Sequence, residues 1–169
     1  TILTEDFGAC AGWVPDAARL RTLKAARHVH IGWLQDGGHA RRVLARDGVS
    51  LSQDVSVNAA PEDLGVEGLA IAFASLPEDQ ADRAESRAAD LVAQGAKGAV
   101  VTLGARGSLA LIGGQTWRAE APRISPVDTT GAGDAYIAGF LAARLNGADV
   151  PMAMAAGHTC AAACCGHPG

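Results

Sequence analysis

One stretch of the sequence has the composition of a loop that turns into a helix, and it reads VDTTGAGDAYIAGF at positions 127–140. The small residues Gly131, Ala132 and Gly133 would allow a ligand to approach the backbone closely. The first amides of a helix lack partners inside that helix, and the positive end of the helix dipole lies behind them. We therefore predict an anion site at Gly131–Gly133, most naturally for a phosphate group.

Asp134, an acidic residue in the same predicted helical turn, indicates a catalytic role in addition to binding. A carboxylate beside a phosphate site would repel the ligand, but a general base is needed there if a substrate hydroxyl loses its proton during phosphoryl transfer. The alternative is a helix start in which the small residues serve packing and Asp134 interacts with the helix dipole. The residues alone leave both interpretations open.

Two other glycine-rich nucleotide motifs do not match this spacing. A Walker A loop requires Lys and then Ser or Thr after its second Gly, whereas Asp134 and Ala135 follow Gly133. A dinucleotide-binding fingerprint requires a third Gly at position 136, which is occupied by Tyr136. The spacing therefore disfavours a P-loop nucleotidase and a dinucleotide-dependent oxidoreductase.

The rest of the sequence alternates short apolar or β-branched runs with longer helical patterns. Strands are predicted at 27–32, 49–54, 70–74, 99–104, 108–112 and 116–118, and helices at 15–26, 36–47, 81–95, 131–145 and 151–165. Such alternation is typical of an α/β fold with a mainly parallel sheet covered by helices. No linker or repeat interrupts it, so we predict a single domain over 1–169, with residues 2–9 as an antiparallel strand outside the main sheet.

Composition and charge exclude several classes of protein. Apolar residues make up 49% and charged residues 19%, which argues against global disorder, and a net charge of −4 argues against a nucleic-acid partner. No apolar run approaches the roughly 18 residues of a membrane span, so no membrane partner is expected. The four cysteines, Cys10, Cys160, Cys164 and Cys165, lack the spacing of zinc ligands and are interpreted as reduced thiols of a cytoplasmic protein.

The motif DTTGAGDA at 128–135, followed by Gly139-Phe140, resembles the signature of the ribokinase-like, phosphofructokinase-B (PfkB) sugar kinases. The resemblance implies a three-layer α/β/α fold with a mainly parallel central sheet and the activity of an ATP-dependent carbohydrate kinase. It implies that Asp134 is the catalytic base. It also implies that the amides of Gly131, Ala132 and Gly133 form the anion hole, with ATP and Mg²⁺ as cofactors.

Two further segments resemble the parts of this family that contact the nucleotide. They are VTLGARGS at 101–108, a strand followed by a turn, and the last predicted helix. With the signature itself, they imply the following nucleotide-binding residues: Thr102, Gly104, Arg106, Gly107, Thr130 and His158. The alternatives are a plain buried strand with a turn at 101–108 and, at position 158, a histidine whose hydrogen bonds are satisfied within the protein.

Three weaker matches, at 27–32, 52–56 and 72–79, resemble fructoselysine 6-kinase-like members, so a sugar or fructosamine is the expected acceptor, with a ketose or nucleoside left open. Many sugar kinases carry an Asn-x-x-Glu motif that helps to organise magnesium, and we do not find it after Phe73. Glu78 or Asp79 is expected to substitute through water, since Mg²⁺ keeps several waters of its own, and the alternative is that both acids interact with the dipole of the helix that follows. Asp54 and Asp128 are placed in the same substrate or magnesium region, and no direct protein ligand to a metal is predicted.

Members of this family have a substantial N-terminal region before the part that is matched. We therefore expect the chain to lack the N-terminal strands and most of the β lid, with residues 1–10 as the remnant of a lid strand. A homodimer formed through the lid is the protein partner that the resemblance suggests. The alternative function is a non-catalytic nucleotide-binding or assembly module of the same fold.

Overall fold

A six-stranded sheet runs through the part of the chain that the computed structural model describes, residues 13–168. Its strands are β1 (Val29–Ile31), β2 (Leu51–Asp54), β3 (Ile71–Ser75), β4 (Gly98–Thr102), β5 (Ser108–Ile112) and β6 (Gln115–Ala119). They lie side by side in chain order; β1 to β4 are parallel, and the pairs β4–β5 and β5–β6 are antiparallel. The predicted mainly parallel sheet is confirmed, and Gly113-Gly114 form the two-residue turn of the hairpin between β5 and β6.

Within the described residues, one α-helix precedes these strands and four more connect or follow them. They are α1 (Ala17–Lys24), α2 (His39–Arg46), α3 (Ala84–Ala93), α4 (Ala132–Leu145) and α5 (Val150–Cys164). The side chain of Asp16 caps α1 by accepting a hydrogen bond from the Arg19 amide at 2.8 Å, so that helix begins after Pro15. The third helix also begins later than predicted, because the 3₁₀ helix Glu78–Arg83 precedes it.

Two apolar cores cover the two faces of the sheet, because β3 and β4 carry buried side chains on both sides. One core packs α2 and α3 against the sheet, and the other packs α4 and α5 against the opposite face. In the second core, the rings of Phe73 in β3 and Phe140 in α4 meet edge to face with centroids 5.6 Å apart. Burial on both faces is what a parallel strand covered by helices requires.

The second strand departs from the predicted pattern in an informative way. Alternation of apolar and polar residues predicts a strand with one solvated face, yet Leu51, Ser52 and Gln53 are all buried. The polar side chains are tolerated because they have partners, as when the Gln53 amide donates to the Asp63 carbonyl at 2.6 Å. The Ser52 hydroxyl is hydrogen-bonded to the rings of His28, just before β1, and His30, within β1.

Helices α4 and α5 approach each other closely at two glycines. A Cβ on Gly139 would lie 2.8 Å from the Ala156 carbonyl oxygen, and a Cβ on Gly157 would lie 2.9 Å from the carbonyl oxygen of Tyr136. Only glycine permits such contact between two backbones. The two helices therefore approach each other at these points more closely than any residue larger than glycine would permit.

The parallel strands all end at one edge of the sheet, which places the polar ends of β2, β3 and β4 together. Asp54, Ser75 and Thr102 are the last residues of these strands, and Ser75 lies opposite Thr102 in the register. In open α/β sheets, ligands bind beyond the carboxyl ends of the strands. The segment from Ala119 to α4 returns the chain to this edge.

The predicted lid strand at 1–10 lies outside the described residues, and the extent of the domain stays a prediction. Within residues 13–168, no helix is long and apolar enough to cross a membrane.

Replacing Phe140 by Ala should lower the free energy of unfolding by about 3–5 kcal/mol, because the ring is fully buried against Phe73. Met152→Ala is the matched control, since its side chain is 63% exposed and should change stability by less than about 0.5 kcal/mol. Urea unfolding of both variants measures the difference. Equal stabilities would contradict the assignment of Phe140 to the core.

Candidate active site

A cavity of about 600 Å³ opens at the carboxyl edge of the sheet, a size typical of small-molecule sites. Its walls come from the end of β4 and the following turn, the segment before α4, the first turn of α4 and one face of α5. Seven residues that the sequence analysis singled out line it: Glu78, Thr102, Gly104, Gly107, Ala132, Gly133 and His158. The fold thus brings together residues that lie up to 80 positions apart in the sequence.

The start of α4 supplies the predicted phosphate-binding backbone. Gly131 is the N-cap with φ +77°, a conformation that glycine adopts without strain, and no side chain caps the helix. The Ala132 amide donates to the Thr129 carbonyl at 3.1 Å, which differs from the expectation that all three amides are free. The amides of Gly131 and Gly133 have no hydrogen-bond partner among residues 13–168, nor does that of Asp134.

The turn after β4 is held by Glu78 in addition to the backbone hydrogen bonds among its own residues. The Glu78 carboxylate accepts a hydrogen bond from the Ala105 amide, and the Glu78 carbonyl accepts one from the Arg106 guanidinium, each at 3.0 Å. This bond places the Arg106 side chain at Glu78, and Arg106 does not line the cavity. Glu78, expected near magnesium, therefore also shapes the turn that the resemblance assigns to the nucleotide.

The side chain of His158 is part of a buried hydrogen-bonded network. Its Nε2 lies 2.9 Å from the Ser108 hydroxyl, which in turn lies 2.9 Å from the Tyr136 hydroxyl. The ring also donates a hydrogen bond to the Ala119 carbonyl, which leaves Nε2 as an acceptor of the Ser108 proton when the ring is neutral. Both ring nitrogens are thus engaged within the protein. His158 therefore presents the face of its ring, and not a nitrogen, to a ligand in the cavity.

Burial governs the ionisation of this network. It lowers the pKa of His158 below its ordinary value of 6.5, although the hydrogen bond to Ala119 opposes the shift. It also raises the pKa of Tyr136 to about 12. The network is therefore uncharged at neutral pH, and it ties β5, α4 and α5 together at the wall of the cavity.

A second, smaller cavity of about 50 Å³ adjoins the first at the start of α4. Asp54 and Gly133 line it, and it shares Ser75, Thr102 and Gly133 with the larger cavity. Burial raises the pKa of the Asp54 carboxyl, the Ser56 amide bonded to it lowers the pKa, and the nearby Asp134 charge raises it again. Asp54 and the exposed carboxylate of Asp134 are therefore close enough to interact.

Asp128 and Thr130 shape the loop rather than the cavity wall. The Asp128 carboxylate accepts a hydrogen bond from the Thr130 amide at 2.8 Å, and the Cys164 thiol lies 3.5 Å from the Thr130 carbonyl. The Cys165 carbonyl accepts a hydrogen bond from the Val127 amide at 2.8 Å. Neither Asp128 nor Thr130 lines either cavity, so the end of α5 positions the loop that leads into α4.

Sequence reasoning missed Ser75, which lines both cavities at the end of β3. A signal was present, because Ser75 stands three residues before Glu78, the spacing of the Asn-x-x-Glu motif with Ser in place of Asn. The apolar wall at Pro122, Ile124 and Pro126 was also missed, since nothing in an irregular segment predicts that it lines a cavity.

Taken together, the sheet with its helices, the open helix N-terminus and the glycine turn at one cavity define an α/β protein with a candidate anion site. Comparison with known families is specific: the profile described as pfkB family carbohydrate kinase matches residues 67–169. The chain belongs to this family.

Curated relatives resemble the chain over its C-terminal part. The fructoselysine 6-kinase of Shigella flexneri is 48% identical over 95 residues, which is 56% of this chain and 36% of that protein. The fructoselysine 6-kinase of Escherichia coli strain K12 is 46% identical over 95 residues, again 56% of this chain and 36% of that protein. A deoxyribokinase of Salmonella typhi is 37% identical over 79 residues, 47% of this chain and 26% of that protein.

Solved structures confirm the ribokinase-like fold. A microbiome-derived acarbose kinase superimposes with a TM-score of 0.76 at 30% identity, over 94% of this chain and 56% of that one. An Arabidopsis thaliana ribokinase, complexed with ribose and ATP, gives a TM-score of 0.75 at 22% identity, over 91% and 54%. The chain spans little more than half the length of these structures.

Gly107→Ala should destabilise the protein strongly, because φ is +95° there and a Cβ would lie 2.0 Å from the Ala119 carbonyl oxygen. Gly113→Ala is the matched control, with φ +61° and nothing within 4 Å of its Cβ, so only the backbone penalty of about 1–2 kcal/mol applies. We expect the first variant to lose at least about 2 kcal/mol more than the second in urea unfolding. Equal losses in the free energy of unfolding would contradict this expectation and show that the β5–β6 region can shift to accommodate the added Cβ.

Stability should fall as the pH drops below the ordinary histidine value of 6.5, because the folded pKa of His158 is lower than the unfolded one. Between the folded and the unfolded pKa of His158, the unfolded chain binds a proton that the folded chain does not. The neutral ring therefore contributes to stability at higher pH, and this contribution is lost as the pH falls through that range. His28 and His30, whose pKa values burial also lowers, act in the same direction. Melting temperatures at about pH 7.5 and about 5.5 measure the slope, which His158→Gln should reduce. An unchanged slope in that variant would exclude His158 as a contributor.

Proposed function

We propose that the chain is the phosphoryl-transfer part of an ATP-dependent carbohydrate kinase that phosphorylates a hydroxyl of a sugar or fructosamine. One observation carries the proposal: a single cavity joins the glycine turn at 104–107 to the open amides at the start of α4, with Asp134 in the same helical turn. Membership of the pfkB family supports the reaction type.

ATP fits the larger cavity by size and by the chemistry of its walls. The turn at 104–107 offers backbone close to the ligand, and the Gly131 and Gly133 amides would bind the terminal phosphate at the positive end of the helix dipole. The ring of His158 and the apolar segment that includes Ile124 form the remaining wall. An apolar wall of this kind suits the base of a nucleotide.

The described residues also fit a magnesium ion held through water. Residues 13–168 contain no group of three or more His, Cys, Asp or Glu side chains that could hold a metal ion. Mg²⁺ at a nucleotide needs few protein ligands, because phosphates and waters supply the rest. Glu78 is the acidic residue at the wall of the larger cavity, and it would bind the hydrated ion there. When bound, the ion neutralises charge on the phosphates.

Asp134 acts as the general base in this proposal. Its carboxylate takes the proton from the acceptor hydroxyl while that oxygen attacks the terminal phosphorus in line, and the bond from that phosphorus to the β–γ bridging oxygen breaks, which releases ADP. The Gly131 and Gly133 amides stabilise the charge that develops on the transferred group, and they are fixed in place by the helix before the reaction begins. The exposed position of Asp134 leaves room for an acceptor beside it.

The acceptor side favours a neutral or cationic sugar. Asp54 and Asp134 interact there, and two carboxylates would repel a sugar phosphate while attracting a protonated amine. A fructosamine carries such an amine, and two fructoselysine 6-kinases are among the curated relatives. Fructoselysine is therefore the first acceptor to test.

Cellular location and assembly follow as further proposals. Use of ATP and the unpaired thiols of Cys160, Cys164 and Cys165 suit a reducing compartment, the cytoplasm. The homodimer suggested by the family resemblance would form through the lid, which lies outside the described residues.

Asp134→Asn should lower kcat by about 10²–10⁴-fold and leave ATP binding within about twofold, because only the proton acceptor is lost. Asp90→Asn, on the exposed side of α3, removes one carboxylate far from the cavity and should leave both quantities unchanged. Coupled ATP-consumption assays with fructoselysine and direct ATP titration measure them. Near-normal turnover of Asp134→Asn would overturn the assignment, and ATP binding without turnover in the natural chain would favour a nucleotide-binding module.

A further inference from the structure

Two histidines, His28 just before β1 and His30 within it, share one buried serine. His28 lies with Nδ1 2.9 Å from the Ser50 hydroxyl and Nε2 2.8 Å from the Ser52 hydroxyl. His30 lies with Nδ1 2.9 Å from the same Ser52 hydroxyl, and Ser52 is fully buried. These four side chains form a continuous hydrogen-bonded row from Ser50 to His30.

The shared hydroxyl links the proton positions on the two rings. Burial lowers the pKa of both histidines, a charge on His30 lowers that of His28 further, and the Asp134 carboxylate raises that of His30. With both rings neutral, the single proton of Ser52 goes to one ring while the other ring donates to the oxygen. Either position of the ring proton on His30 is therefore accommodated when Ser52 rotates and the ring proton of His28 moves to its other nitrogen, and the His30 ring stays in the same place.

The position of His30 connects this row to the proposed acceptor side. Its ring meets the Phe73 ring edge-on with centroids 6.0 Å apart, and Phe73 lines the small cavity together with Asp54 and Gly133. The Asp134 carboxylate is near enough to raise the pKa of His30. His30 is exposed within the part of the chain that the structure describes, so a ligand can reach it.

The hydrogen bonding of His30 differs from that of two other partly buried histidines. His28 bonds two serines, and His158 bonds Ser108 and the Ala119 carbonyl, so each uses both ring nitrogens within the protein. In His30 only Nδ1 is engaged, and Nε2 has no hydrogen-bond partner among residues 13–168. A histidine oriented firmly through one nitrogen, with the other open beside a catalytic carboxylate, is arranged to bind a ligand.

We propose that His30 binds the acceptor through Nε2, and that Ser52 is its positioning residue. The inference rests on the proposed function and extends it by naming a third side chain, with Asp54 and Asp134, on the acceptor side. A sugar hydroxyl both donates and accepts a hydrogen bond, so it pairs with Nε2 in either proton arrangement. The neutral ring adds no positive charge, which keeps this side suited to a neutral or cationic acceptor.

Steady-state kinetics of the full natural chain with ATP and fructoselysine test the inference. His30→Gln should raise the KM for fructoselysine about tenfold and leave the KM for ATP within about twofold, as expected for one lost hydrogen bond. Ser52→Ala should shift the same KM in the same direction by a smaller factor. His39→Gln, an exposed histidine at the start of α2, is the matched control and should change neither value.

A measurement independent of turnover completes the test and remains informative if a variant folds poorly. Fructoselysine added to the natural chain should shift the His30 Nε2 resonance in long-range ¹H–¹⁵N spectra and leave that of the buried His158 unchanged. No shift at His30, or a rise of both KM values together in His30→Gln, overturns the inference while the kinase assignment stands. Absence of turnover in the natural chain with every sugar and fructosamine overturns the proposed function, and the inference with it.

Discussion

The first turn of α4 has to lie against the carboxyl edge of the sheet, and the rest of the site depends on that contact. The ring of Phe140 holds α4 against the sheet by packing on Phe73 in β3. The Tyr136 hydroxyl also ties α4 to β5 through its hydrogen bond with Ser108, the first residue after the glycine turn. These contacts hold the open amides of α4 and the turn at 104–107 at opposite walls of one cavity.

Electrostatics at this helix start combine two opposing demands. Unpaired amides and the helix dipole favour an anion, whereas Asp134 and Asp54 bring negative charge to the neighbouring side. The two demands are compatible because the groups occupy different sides of Gly133, which lines both cavities. A phosphate on one side and a neutral or positively charged acceptor on the other would each meet complementary charge.

Local patterns in the sequence were sufficient for the elements and for the parts of the site that lie within one motif. The run Ala99–Gly104 predicts a buried strand because it is mostly apolar, too short for a helix and ends on glycine. The glycine and the carboxylate at 133 and 134 predict a helix start with a catalytic role. Side chains from different strands that meet across the sheet could not be predicted in this way. Ser52 resembles a solvated strand residue, and only the pairing of β1 with β2 brings His28 and His30 beside it.

The same limit explains the individual differences at the site. The spacing of DTTGAGDA does not reveal that the Ala132 amide is used by Thr129, because that bond depends on the turn formed by the loop. Arg106 stands within a segment that the family resemblance assigns to the nucleotide, yet its guanidinium donates a hydrogen bond to the carbonyl of Glu78. In both cases a neighbour distant in sequence or a local turn decides which groups remain open to a ligand.

The glycine contacts between α4 and α5 have a mechanical consequence. At Gly139 and Gly157 the backbones of the two helices limit how closely α4 and α5 approach, so a Cβ at either position would force the helices apart. His158 stands next to Gly157 in α5, and the open amides of Gly131 and Gly133 stand at the start of α4. A larger residue at either glycine would therefore widen the cavity whose wall these two helices share.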